Sequence, residues 1–265
     1  MSTQSWKCAL VTGGGGGLGK AFARSLINRG KKVYIAGRTE SNLVDTAKEI
    51  GAAGYFVVDV SELASLPAFT NKVISEVPEV DCLINNAGVQ FIYDFTKGAE
   101  LDRVHQEIAI NTTSLVDLCG LFVPHLMKQE HACIMNIGSG LGYIPSAQVP
   151  VYSATKAFVK YFTLSLREQL RETSIKVIEI SPPLVNVGNL ARSYAPAGEK
   201  LDQMVEVLRK KGVVGLTEGE WMAAVELGWD EGKEEIGAGF SQMGIDKWRE
   251  AFGPAYSMRI AALKQ

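Results

Sequence analysis

The chain has 265 residues, 46% of them hydrophobic and 21% charged, with a formal net charge of −2. That is the balance of an ordinary globular domain, long enough to bury roughly 70–75% of its unfolded surface without disulfides or a structural metal. No basic stripe runs through it, so electrostatics give no reason to expect nucleic acid or an anionic membrane as partner.

The elements follow one another in a regular rhythm. Residues 7–12 (KCALVT) read as a buried strand, and 18–29 as a helix with Leu18, Phe22, Leu26 and Ile27 at helical spacing and Gly30 as its stop. Residues 32–37 (KVYIAG) are a second strand, 41–50 a second helix, 55–60 (YFVVDV) a third strand and 63–77 a third helix. A short fourth strand, 82–85 (CLIN), precedes one long helix over 101–129, expected to bend near Pro124. Residues 132–137 (ACIMNI) form a fifth strand, 151–172 a strong helix and 176–180 (KVIEI) a sixth strand. Continuous apolar strands alternating with helices predict an α/β fold: a doubly wound parallel sheet covered on both faces, with its ligand crevice at the carboxyl ends of the strands.

After about Val187 the rhythm breaks. The segment 188–215 mixes Gly, Ala, Pro and charges around a modest helix at 201–211; a helix at 218–227, a short apolar piece at 235–240 and an amphipathic helix at 245–263 follow. No linker or repeat divides the chain, so residues 1–265 are expected to form one domain, with 188–230 as the substrate-binding region and 241–265 as a closing helix.

The four cysteines, Cys8, Cys82, Cys119 and Cys133, lie singly in apolar stretches and read as reduced, buried thiols. His105, His125 and His131 lack metal-ligand spacing, so no metal is expected. There is no apolar run of membrane-spanning length, and the polar residues 1–7 do not resemble a signal peptide. The expected compartment is the cytosol.

Between the first strand and the first helix runs Thr12-Gly13-Gly14-Gly15-Gly16-Gly17-Leu18-Gly19. A glycine turn opening a helix offers free N–H groups and a positive dipole end to a pyrophosphate. The run satisfies both G-x-x-x-G-x-G (Gly13, Gly17, Gly19) and G-x-G-x-x-G (Gly14, Gly16, Gly19). The end of the second strand should meet the adenosine ribose. It carries Arg38 and Thr39, with no carboxylate at Gly37, which favours the 2′-phosphate of NADP(H) over NAD. Glu40 is the counter-argument.

These residues, with Asn85-Asn86-Ala87-Gly88, Asn111, Ser139 and Tyr152-Ser153-Ala154-Thr155-Lys156, strongly resemble the short-chain dehydrogenase/reductase family over about residues 7–187. The resemblance implies that Tyr152 is the general acid and that Lys156, one helical turn on, lowers its pKa and binds the nicotinamide ribose. It implies that Ser139 donates a hydrogen bond to the substrate oxygen and that Asn111 holds a water in the proton relay. Gly13, Gly15, Gly16, Gly17, Leu18 and Gly19 would hold the pyrophosphate. Asp59, Val60, Asn86, Ala87 and Gly88 would line the adenine and ribose side, and Pro182 and Val185 the nicotinamide side. The family also suggests a homodimer or homotetramer through the 101–129 and 151–172 helices, with Phe158, Phe162 and Leu166 as contributors.

Two departures stand out. Where the family usually has Pro-Gly and then a threonine, this chain has Pro182-Pro183-Leu184-Val185-Asn186-Val187, so Val187 offers no hydroxyl and Asn186 becomes the candidate for the nicotinamide amide. The closing strand and glycine pair give way to Glu235-Ile236-Gly237-Ala238-Gly239-Phe240. The expected function is hydride transfer from NADP(H) to a carbonyl or imine of a neutral small molecule. The Pro-Pro-x-x-Asn variant motivates an alternative, a bifunctional or non-redox biosynthetic catalyst that templates a ring closure. Tyr194, Met204 and Leu208 from the 188–215 segment, and Tyr143, Ile144 and Gln148 opposite, are the candidate substrate contacts.

Overall fold

The computed structural model describes residues 5–186 and 215–262. Seven strands form one parallel sheet: β1 (Cys8–Thr12), β2 (Lys32–Gly37), β3 (Gly54–Val57), β4 (Cys82–Asn85), β5 (Ala132–Ile137), β6 (Ile175–Ser181) and β9 (Glu235–Gly237), in the order β3-β2-β1-β4-β5-β6-β9. The order reverses between β1 and β4, and a ligand crevice is expected beyond the carboxyl ends of the strands at such a switch point. A second parallel pair, β7 (Val185–Asn186) with β8 (Leu216–Thr217), lies outside the main sheet and was not legible as strand.

Residue alternation along the strands assigns the two faces. Cys8, Leu10, Leu83, Ile134 and Val177 point to one core, Ala9, Val11, Ile84, Met135 and Ile178 to the other. The first core is closed by α3 (Leu66–Glu76), α5 (Ser114–Leu126) and α6 (Pro150–Gln169), with Phe122 and Val159 fully buried, while α4 (Leu101–Ile108) packs beside α6. The second is closed by α1 (Gly17–Asn28), α2 (Glu40–Ile50) and α7 (Glu218–Asp230), through Phe22, Leu43, Trp221 and Trp229. Removing a side chain such as Phe122 down to alanine costs about 3–5 kcal/mol in cores of this kind.

The helices begin and end where their chemistry dictates. α2 carries Glu40 in its first turn, Lys48 in its last, and stops on Gly51 in the left-handed region (φ 73°). A reciprocal cap between Thr217 and Glu220 starts α7, and Pro150 opens α6. The last helix, α8 (Phe240–Ala262), begins five residues before the position that its apolar spacing indicates, and β9 occupies the apolar piece before it.

Two boundaries that bear on the site differ from the sequence reading. The third strand stops at Val57, because Val58 to Val60 already turn toward the crevice. The expected continuous helix over 101–129 is α4 and α5 joined by a π turn, Ala109–Thr113, while Pro124 sits inside α5. The helix anticipated at 201–211, with Tyr194, Met204 and Leu208, lies outside the described residues. All four cysteines are buried and free. Among the described residues no helix is long and apolar enough to cross a membrane, and no cluster of His, Cys, Asp and Glu could hold a metal.

Candidate active site

A cavity of about 1260 Å³ opens at the carboxyl ends of the strands. Small-molecule pockets span roughly 300–1,000 Å³, so this one has room for a dinucleotide together with a second, smaller molecule. Its walls include Gly13, Gly15, Gly16, Gly17, Leu18 and Gly19 from the glycine turn, Arg38 and Thr39 after β2, and Asp59 and Val60 after β3. Asn86, Ala87 and Gly88 after β4, Ser139 after β5, Tyr152 and Lys156 on α6, and Pro182 and Val185 after β6 complete them. Of the Asn, Ser, Tyr and Lys read as the catalytic set, Asn111 alone does not face this cavity.

The glycine turn is locked from beneath. Thr12 Oγ1 accepts hydrogen bonds from the Asn86 and Ala87 amides (3.0 and 3.1 Å), and Asn86 Nδ2 donates to the Thr12 carbonyl (2.9 Å). Gly13 and Gly17 occupy the left-handed region (φ 65° and 52°), and a Cβ on Gly19 would collide with the Gly13 carbonyl. Gly14 is closed to a side chain as well, because its Cβ would lie 2.7 Å from Ile35 Cβ, so the turn needs glycine at Gly13, Gly14, Gly17 and Gly19 and serves both spacings. The N-terminus of α1 has no side-chain cap and no acidic residue in its first turn, so its amides stay available to an anion. Arg38 is exposed at the cavity rim and forms no ion pair among the described residues. Glu40 turns away and accepts a hydrogen bond from the Tyr55 hydroxyl (3.1 Å). An uncapped helix start, a glycine cradle and an unpaired guanidinium fit a phosphorylated dinucleotide.

The chemical end of the cavity lies between β5, α6 and β6. Lys156 is almost fully buried; its Nζ donates to the Ile137 carbonyl (2.8 Å) and lies 5.5 Å from the centre of the Tyr152 ring. Burial pulls the Lys156 pKa down to about 8, opposed by the negative charges of Glu179 and Glu107. For Tyr152 the sequence predicts acidification by that ammonium, and the structure gives the opposite direction. Burial pushes the phenol up to about 12; a hydrogen bond with Ser139 lowers it, and the charge of Glu107 raises it further. Ser139 holds its turn by accepting the Leu141 amide on Oγ (3.2 Å).

Asn111 sits in the π turn, where the widened helix aims its amide inward. Its Oδ1 accepts from the Val89 amide and its Nδ2 donates to the Val89 carbonyl (both 2.8 Å) and to Thr155 Oγ1 (3.1 Å). The side chain thus ties α4 and α5 to the segment after Gly88 and to α6, and both of its ends are engaged. π turns of this kind frequently mark functional sites.

Several polar residues near the site were not singled out from the sequence. Glu179 faces the first core from the end of β6; it accepts Ser181 Oγ (2.6 Å) and the Tyr143 hydroxyl (3.0 Å), and burial raises its pKa. Lys160, one turn beyond Lys156, is enclosed by Tyr143, Tyr161 and Trp248, with Nζ 4.1, 4.9 and 4.0 Å from their ring centres, and burial lowers its pKa to about 8. Asn85 donates to Asn136 (2.9 Å) and Asn136 to Thr163 (3.0 Å), a buried ladder from β4 through β5 to α6. A charged or amide residue inside an otherwise apolar run, as in KVIEI and ACIMNI, was the available signal.

On the substrate side, Ile144 and Gln148 line the cavity as expected, but Tyr143 points inward to Glu179 and does not. Gln90, Phe91 and Arg103 add to the same wall; Arg103 packs on the Phe91 ring (5.1 Å) and pairs with Glu100 (3.3 Å), so the wall is not free of fixed charge. Asn186 is exposed, bonded to the Gly215 carbonyl (3.4 Å), and absent from the cavity wall; Val187 lies outside the described residues.

The short chain dehydrogenase family model matches residues 7–197. The chain belongs to that family and is an oxidoreductase. It is 37% identical over 230 residues to the uncharacterized oxidoreductase DltE of Bacillus subtilis (strain 168), covering 86% of each chain. It is 34% identical over 177 residues to the NADP-dependent 3-hydroxy acid dehydrogenase YdfG of Escherichia coli (strain K12), covering 66% of this chain and 71% of that one. Among solved structures, the closed form of serine dehydrogenase complexed with NADP+ superimposes with a TM-score of 0.70 at 30% identity, covering 83% of this chain and 88% of the other.

Proposed function

We propose that the chain is an NADP(H)-dependent reductase that adds hydride and proton to a carbonyl, or an imine, of a neutral small molecule, with Tyr152 as the proton donor. The observation that carries this reading is that Tyr152, Ser139 and Lys156 open onto the same cavity as the glycine turn and Arg38. The cofactor is NADP(H): the α1 amides and glycine turn hold the pyrophosphate, and Arg38 meets the 2′-phosphate, where a paired carboxylate would repel it. NADP is also the cofactor in the names of the 3-hydroxy acid dehydrogenase and of the serine dehydrogenase complex.

When bound, the reduced nicotinamide supplies the hydride. Ser139 donates a hydrogen bond to the substrate oxygen as negative charge builds there. Tyr152, whose phenol is protonated at neutral pH and pushed further toward that form by burial, delivers the proton to that oxygen. Lys156 keeps a positive charge beside the phenolate that forms, and Asn111 positions the site by bracing α4, α5 and α6. Arg103, neutralised by Glu100, borders an otherwise apolar and amide-lined substrate wall. The ring-closure alternative drew on Asn186, whose amide is spent on the Gly215 carbonyl; no observation favours it. Exposed Phe158, stacked on Phe162, and exposed Tyr161 on α6 support a homodimer or homotetramer, whereas Leu166 is core.

Oxidation of NADPH on addition of a ketone and aldehyde panel tests the reading. Tyr152→Phe should lower kcat/KM by about 10²–10⁴ while NADPH still binds; wild-type turnover in that variant contradicts the assigned role.

A further inference from the structure

The last turn of α4 carries a carboxyl group that the reaction scheme above does not use. Glu107 has no exposed surface, and it stands one helical turn before Asn111. Its Oε1 accepts the Phe91 amide (3.2 Å), whereas its Oε2 is buried with no hydrogen-bond partner. The Tyr93 hydroxyl lies near enough to favour the ionised carboxylate, yet it too is buried without closing a hydrogen bond.

The charged groups facing Glu107 come from three elements. From α6, Lys156 attracts it and the Tyr152 phenol feels its charge; from the 89–97 segment comes Tyr93; from α4 itself, Arg103 acts on Tyr93. Burial dominates and pushes the carboxyl up to about 7. Proton transfer is most efficient from a group whose pKa lies near the working pH. Asn111 cannot fill that role: an amide does not ionise, and both its ends are occupied. Lys156 uses one N–H on the Ile137 carbonyl and has two more to give. The neighbours of Glu107 on α4, Gln106 and Arg103, line the cavity, so the carboxyl sits just behind its wall.

We propose that Glu107 is the proton store behind Lys156 and Tyr152, restoring the tyrosine proton after each reduction; this rests on Tyr152 being the donor. The transfers balance as follows. As the carbonyl carbon takes a hydride, with its electron pair, from the reduced cofactor, the carbonyl oxygen takes the Tyr152 proton and leaves a phenolate. Lys156 returns a proton to the phenolate and becomes an amine; the Glu107 acid reprotonates the amine and becomes a carboxylate. Water outside the cavity wall supplies the next proton. The sum is carbonyl, NADPH and one proton giving alcohol and NADP+. Glu107 touches neither substrate nor cofactor and acts through Lys156.

The test compares wild type with Glu107→Gln, Glu107→Asp and Tyr152→Phe. Infrared difference titration of the purified protein should show a protonated carboxyl that ionises near neutral pH and vanishes in Glu107→Gln. With a ketone from the panel, Glu107→Gln should lower kcat on the order of tenfold, short of the loss of the donor itself. It should leave KM unchanged and abolish the neutral limb of the kcat–pH profile, and Glu107→Asp should restore part of that limb. A wild-type profile in Glu107→Gln, or no carboxyl titrating near neutrality in the wild-type protein, overturns the proposal. If Tyr152→Phe turns over normally, the donor reading fails instead, and the infrared titration of Glu107 is untouched by that failure. Should Glu107→Gln not fold, the wild-type titration and the Asp variant still decide.

Discussion

Glu107 also makes a prediction about folding that needs no turnover. Burial pushes its carboxyl up to about 7 in the folded protein from an ordinary value of 4.5. Between those pH values the folded state keeps a proton that the unfolded state has lost. The folded state binds more protons there, so stability falls as pH rises through the window. At about 1.36 kcal/mol for each pH step between the two values, the penalty is about 3 kcal/mol, complete above pH 7 and absent below the unfolded value. Glu107→Gln keeps an oxygen for the Phe91 amide and removes the ionisation. The two proteins should therefore match most closely near pH 4.5, and the variant should gain relative stability up to pH 8. Loss of the Glu107 charge also removes support from the Lys156 ammonium, which trims the gain, so about 3 kcal/mol is a ceiling. Urea denaturation at intervals from pH 4.5 to 8 measures it. Glu179 and the other buried acids are common to both proteins and cancel in the difference. A stability gap that stays flat across this range refutes the reasoning, because it means that the carboxyl does not titrate between its two assigned values.

The other predictions concern the cofactor and the assembly. Arg38→Ala should weaken NADPH binding by about 10- to 100-fold, corresponding to the roughly 1.5–3 kcal/mol of a hydrogen bond to a charged group, and leave NADH binding unchanged; fluorescence titration with both cofactors separates the two. Gly19→Ala forces a Cβ against the Gly13 carbonyl, backbone against backbone, and should abolish cofactor binding and lower the melting temperature; an unaltered NADPH affinity contradicts the cradle. Phe158→Glu places a charge on an exposed ring of α6 and should shift sedimentation toward the monomer without loss of secondary structure.

The parallel sheet was legible because its strands are apolar on both faces and its helices carry helical spacing, both local properties. The glycine turn, Arg38, Ser139, Tyr152 and Lys156 were legible because each stands at the end of a strand or on the first turns of α6, where topology alone brings them to one crevice. The π turn at Ala109–Thr113 was not, because α4 and α5 share one uninterrupted helical pattern and the extra residue is stabilised by the distant partners Val89 and Thr155. Tyr143 was misplaced for a similar reason. Its sequence neighbours give no hint that a buried carboxylate on β6 draws its hydroxyl inward. The direction of the Tyr152 pKa was also beyond the sequence: one-turn spacing puts an ammonium nearby but says nothing of how much water burial removes from the phenol.

That difference in direction bears on how the site works. Desolvation alone favours a neutral Lys156, and a neutral amine would stabilise no phenolate. Two carboxyl groups counter it from opposite sides, Glu107 from α4 and Glu179 from β6, and the resulting value of about 8 leaves the lysine charged at neutral pH. Burial, and after it the same Glu107 charge, raises the Tyr152 pKa, so the phenol keeps its proton until the substrate oxygen takes it. The Glu107 carboxylate, the form left once its proton has passed to Lys156, therefore acts in two directions: it favours the charged lysine and the protonated phenol, the states from which the next reduction begins. Glu107 closes the last turn of α4 and Asn111 follows one turn later inside the π turn, so the two buried polar side chains stand on the same side of this helical stretch.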